Sequence, residues 1–113
     1  MYTHSKSFIN TGLPLKDAAQ VIIMVHGRGA TPESIIQLAS RLQLEDAAIL
    51  APRAERQSWY PYSFLAPEQE NQPALGSALE LLDSLVNEAL QHGIASERIF
   101  FLGFSQGACL SLE

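Results

Sequence analysis

A serine flanked by glycines, Gly103-Phe104-Ser105-Gln106-Gly107, closes an apolar run, and the chemistry this arrangement permits is nucleophilic acyl transfer. A strand that feeds directly into a helix must turn so sharply at Ser105 that side chains two positions to either side would collide. Glycine at 103 and 107 removes that collision. The turn leaves the Ser105 hydroxyl exposed at the tip of a sheet, and the amide of Gln106, at the start of the helix, faces the negative charge that forms when a hydroxyl attacks a carbonyl. Ser105 is therefore the candidate nucleophile and the Gln106 amide the first candidate oxyanion donor. Phe104 is a candidate pocket residue, its ring either entering the pocket or packing beneath the turn.

Acyl transfer needs a second main-chain donor, from a loop that follows a neighbouring strand. The segment Val25-His26-Gly27-Arg28-Gly29-Ala30 supplies one, at the end of the apolar run Val21-Ile22-Ile23-Met24-Val25 and with His26 79 residues ahead of Ser105. The small residues Gly27 and Gly29 let the loop approach closely, and the Arg28 amide is the natural donor. His26 invites the role of base, but a sheet with this elbow carries its groups in the chain order nucleophile, acid, histidine. Its imidazole is expected to brace the loop through hydrogen bonds that also fix its tautomer. His4, near the N-terminus, and His92, before Gly93 at a helix end, are weaker candidates.

Between Pro52 and Gln72 the chain loses clear periodicity, and a loop of that length in a compact domain is usually functional or disordered. It holds Trp59, Tyr60, Tyr62 and Phe64 and follows a strand end, where open α/β sheets bind ligands. Trp59 and Tyr60 are accordingly candidates for an aromatic wall over an acyl pocket, with packing as the competing role. Arg28 and Arg53 either attract an anionic group or brace loops through backbone carbonyls; the residues favour neither.

Taken together, His26-Gly27-Arg28-Gly29-Ala30, Leu50-Ala51-Pro52-Arg53-Ala54, Trp59-Tyr60-Pro61 and Gly103-Phe104-Ser105-Gln106-Gly107-Ala108 resemble the bacterial phospholipase/carboxylesterase family, relatives of the acyl-protein thioesterases and dienelactone hydrolases. The resemblance runs from about Leu13 to Glu113 and implies a three-layer α/β-hydrolase fold with a mostly parallel sheet. It also implies a serine hydrolase of carboxylic esters or thioesters, with an acyl-serine at Ser105, an oxyanion hole from Arg28 and Gln106, and no cofactor. In such proteins the catalytic aspartate and histidine follow the nucleophile helix, whereas eight residues follow Ser105 here. Residues 1–113 are thus expected to be one incomplete domain, truncated after the nucleophile elbow.

The elements that must position these groups are also legible. Lys6 to Asn10 reads as a short leading strand, Ala47 to Ala51 as another, and Arg98 to Leu102, apolar on both faces, as a central parallel strand. Thr31-Pro32-Glu33 begins a helix, with threonine as N-cap and proline in the first turn, whose face of Ile35, Leu38, Ala39 and Leu42 covers the sheet. A second helix, from about Pro73 to Gln91, carries Leu75, Ala78, Leu79, Leu82, Val86 and Ala89 at helical spacing and stops at Gly93.

Composition narrows the partners. With 12 acidic and 7 basic residues, a formal charge of -5 and no basic run, the chain is ill-suited to nucleic acid. No apolar run approaches the roughly 18 residues of a membrane span, and the N-terminal residues lack a signal-peptide pattern, so a cytoplasmic location is expected. Cys109, the single cysteine, reads as packing one turn after the nucleophile, and no Cys or His pair has metal-ligand spacing. The competing reading of the whole is a noncatalytic half-domain that associates with a partner through an open strand edge.

Overall fold

Every residue from Val21 to Val25 is apolar, and the structure shows why: this strand is covered on both faces. The computed structural model describes residues 3–4, 6–39, 47–60, 68–103 and 106–111, with the backbone alone described at 38, 39, 68, 70, 108 and 109. Along it run β1 (Phe8–Gly12), β2 (Gln20–Val25), α1 (Pro32–Ala39), β3 (Ala47–Pro52), α2 (Ala74–Gln91), β4 (Ile99–Gly103) and α3 (Gln106–Ser111). The sheet has the order β1-β3-β2-β4, with β2 parallel to both neighbours and β1 antiparallel to β3.

Strand geometry sorts successive side chains to opposite faces, giving two cores. Val21, Ile23 and Val25 of β2, with Ala48 and Leu50 of β3, pack beneath Leu75, Ala78, Leu82 and Leu85 of α2 and Leu110 of α3. Ile22 and Met24 instead face the other side, with Ala47, Ile49 and Ala51 of β3 and Ile35 of α1. The expected α/β fold, with a mostly parallel sheet between helical layers, is what the structure has.

The helix starts follow local chemistry. Thr31 Oγ1 accepts the Ser34 amide at 3.3 Å while Ser34 Oγ accepts the Thr31 amide at 3.3 Å, a reciprocal cap ahead of α1. After α2, Gly93 takes φ +85, the left-handed conformation that lets the chain leave the helix. Within α2, Leu81 and Leu85 are buried more deeply than the Leu79 and Val86 singled out from spacing, because the helix presents a broad face to the sheet.

Two expectations change. The leading strand is displaced toward the glycine and includes Thr11 and Gly12, registered against Ile49 and Ala48. The strand β4, expected to be central, is an edge strand among the described residues, with Phe100 47% and Phe101 41% exposed. The two rings lie on opposite faces, beside Ile22 and Ile23 respectively, so both faces are partly uncovered there. Leu42 lies outside the described residues, as do the side chains of Leu38, Ala39 and Cys109, so the full α1 stripe and the packing role of the cysteine are not described.

Candidate active site

The carboxyl ends of β2 and β4 lie side by side, Val25 in register with Gly103, which brings the loop after β2 next to the chain entering α3. Gly107 makes the approach possible. A Cβ there would stand 2.6 Å from the His26 carbonyl oxygen and closer still to that of Val25, so no other residue fits without movement of the backbone. The pattern that suggested an elbow thus has a concrete steric cause on its helical side.

The loop itself is braced by His26, which is 1% exposed. Its Nε2 accepts the Ala54 amide at 3.1 Å, so Nδ1 carries the proton and donates it to the Gly27 carbonyl at 2.8 Å. Burial, with smaller contributions from the charge of Arg53 and from His4, pushes its pKa below the ordinary histidine value, against the opposing pull of the Gly27 bond and Glu33. Both ring nitrogens are committed. Gly29, at φ +76, donates its amide to the Gln57 carbonyl at 2.7 Å, and Ala30 donates to Gly27 at 3.1 Å.

Arg28 is exposed at this turn, and its Nη1 donates to Ser58 Oγ at 3.1 Å. Arg53 is turned toward Glu33, whose carboxylate oxygens lie 2.8 and 3.1 Å from its Nη2. That bond holds the Glu33 carboxyl below the usual carboxylate range. Each arginine side chain thus has a protein partner at the strand ends.

The segment after β3 folds back over the loop. Trp59 is wholly buried and Tyr60 is 4% exposed, so neither presents a ring face to solvent in the described chain. The Trp59 indole donates to the His26 carbonyl at 2.8 Å and its main-chain amide donates to Gln106 Oε1 at 2.8 Å. Gln106, 6% exposed, also donates through Nε2 to the Tyr60 carbonyl at 2.9 Å. Ser105, Phe104, Tyr62 and Phe64 lie outside the described residues.

Two participants were missed from the sequence. His4, set aside as terminal, accepts the Glu55 amide on Nδ1 at 3.0 Å and donates Nε2–H to the Trp59 carbonyl at 2.7 Å. Its own amide is tied to Ser77 Oγ of α2 at 2.7 Å. The Gln106 side chain was the second, since only its amide had been given a role. Both partnerships span about fifty residues, a separation that no periodicity reports. His92, by contrast, donates Nδ1–H to the Glu88 carbonyl at 2.9 Å at the end of α2, away from this cluster.

Among the described residues no group of three or more His, Cys, Asp or Glu is placed to hold a metal ion, and no helix is long and apolar enough to cross a membrane.

The family model for phospholipase/carboxylesterase matches residues 9–113. The chain belongs to that family. A solved phospholipase/carboxylesterase from Dyadobacter fermentans is 55% identical, superposes with a TM-score of 0.97, and is matched over 100% of this chain and 54% of its own. A carboxylesterase from Mesorhizobium loti, 24% identical with a TM-score of 0.63 over 84% of this chain and 47% of its own, shares the fold. An uncharacterised hydrolase of Schizosaccharomyces pombe is 25% identical over 132 residues, covering 94% of this chain and 54% of its own length. The chain thus spans about half the length of the first of these structures and of the yeast hydrolase.

Proposed function

We propose that the protein carrying this chain hydrolyses carboxylic esters or thioesters of small or medium acyl groups through an acyl-serine at Ser105. The observation that carries this reading is the close approach of Gly107 to the His26 carbonyl, which sets the start of α3 against the loop bearing Arg28. That contact supports a reading in which the amides of Arg28 and Gln106, from separate segments, act on one tetrahedral oxyanion.

In the first half-reaction the Ser105 oxygen attacks the acyl carbonyl as its proton passes to a base. The amides of Arg28 and Gln106 hold the oxyanion, and collapse expels the alcohol or thiol, which takes up the proton. Water then attacks the acyl-serine by the same route and releases the acid. His4 and His26 have both ring nitrogens engaged, so the base is a different residue. Trp59 and Tyr60, whose rings are buried, act on the acyl side of the site by holding backbone in place, and Phe104 is the third residue assigned to that pocket. No cofactor takes part.

Labelling with a fluorophosphonate tests the reading in the protein that carries this chain. Modification should map to Ser105, and Ser105→Ala should abolish both labelling and hydrolysis of short p-nitrophenyl esters. Undiminished labelling of Ser105→Ala refutes it.

A second reading is favoured by the open edge of β4 among the described residues. Phe100 and Phe101, exposed on opposite faces of that strand, and a cleft of about 350 Å³ lined by Leu79, Leu82, Val86, Phe101 and Leu110, suit association along this edge. Size-exclusion chromatography of residues 1–113 would then show self-association, which a charged substitution at Phe101 should relieve.

A further inference from the structure

Oxyanion binding requires its donors within about 2.7–3.1 Å of the developing charge. The two donors proposed above come from segments some eighty residues apart, and one residue of a third segment spans them. The Trp59 indole Nε1–H is bonded to the carbonyl of His26, whose peptide adjoins the one that contains the Arg28 amide. The Trp59 main-chain amide is bonded to the side chain of Gln106, the residue whose own amide is the other donor.

Both bonds are 2.8 Å long and buried, and the tryptophan between them has no exposed surface. Its ring is held on one flank by His26, 4.9 Å away and 29° from parallel, and touched on another by His4 at 5.3 Å and 52°. Gln106 answers with a second bond to the same strip of backbone, at the Tyr60 carbonyl, so both polar atoms of its carboxamide are fastened to residues 59–60. Packing alone explains the burial of an indole. It does not explain why both of its N–H groups, ring and main chain, terminate on the two donor-bearing segments.

We propose that Trp59 is a positioning residue for oxyanion stabilisation, a strut that fixes the separation of the Arg28 and Gln106 amides, with the Gln106 carboxamide as its second fastening. The proposal rests on the reading that those amides receive the oxyanion. A donor displaced by about 1 Å costs on the order of 10²-fold in rate, and substrate bound before charge develops is affected far less. The strut should therefore act on kcat and leave KM nearly unchanged.

Trp59→Phe keeps an aromatic ring and removes the indole N–H; Gln106→Met keeps the volume and removes both side-chain bonds. In the protein that carries this chain, each should lower kcat per folded molecule by about 10- to 100-fold, and slow fluorophosphonate labelling of Ser105 in parallel, with KM within about twofold. Ile35→Ala, in the separate core on the other face of the sheet, serves as a control that destabilises away from the strut, and its kcat per folded molecule should stay within about twofold. The folded fraction is taken from thermal melts. If either strut variant loses activity only in proportion to its folded fraction, Trp59 is a packing residue and the proposal is overturned. Persistence of hydrolysis in Ser105→Ala would instead remove the acyl-serine reading, so the two failures are told apart.

Discussion

The Trp59 indole lies over the His26 ring, centroids 4.9 Å apart, and donates its Nε1–H to the carbonyl of that same histidine at 2.8 Å. Ring and backbone of one residue are thus held by ring and nitrogen of another. Earlier residues of the same segment complete the arrangement: the consecutive amides of Ala54 and Glu55 end on His26 and His4, each on an unprotonated ring nitrogen.

Acid should undo this arrangement. A protonated ring cannot accept an amide hydrogen, and burial, the largest cause in both cases, lowers the pKa of His4 and His26 below 6.5 in the folded chain. The unfolded chain therefore takes up these protons first. Stability is fully present above pH about 6.5 and falls as pH drops from there toward the depressed folded values. Urea midpoints should be level between pH 8 and 7 and decline between 6.5 and 5.5, with a shallower decline in His4→Gln. A midpoint independent of pH through that window would contradict the neutral assignment of both rings.

The glycines separate two kinds of constraint. Gly107→Ala forces a Cβ into the Val25 and His26 carbonyls and should cost about 3 kcal/mol or more, since backbone must move. A Cβ on Gly29 would meet no atom within 4 Å, but the residue sits at φ +76, so Gly29→Ala should cost only the left-handed penalty of about 1–2 kcal/mol. Chemical denaturation of the two variants should rank them in that order.

Arg56 and Gln57 both adopt φ 56, a conformation that side chains disfavour, just where the Gln57 carbonyl receives the Gly29 amide. Replacing Gln57 by glycine relieves about 1–2 kcal/mol of backbone strain and adds about 0.5–1 kcal/mol of unfolded-state entropy. Gln57→Gly is thus expected to melt at the same temperature or a few degrees higher, while substitution by a β-branched residue such as valine lowers the melting temperature.

Much of this was legible in the residues because the relevant forces are local. The unbroken apolar runs at 21–25 and 47–51 announce strands covered on both faces, and Thr31-Pro32 announces a capped helix. Gly107 was legible for the same reason, as a turn this tight has few chemical solutions. The role of Trp59 was not. In an irregular loop after a strand end the residue reads as a pocket wall or as packing, and only the fold brings it to His26 and Gln106, 33 and 47 residues away. His4 was hidden similarly, since nothing near a terminus signals a bond to Trp59. The placement of β4 depends on what lies beside it, which an apolar run does not encode.

Gly107 has one more consequence. With no side chain between the start of α3 and the end of β2, main chain rests on main chain, and the contact contains nothing that substitution can resize. A shift of α3 relative to the end of β2 must therefore come from movement of whole strands and not from exchange of a side chain at the point of contact.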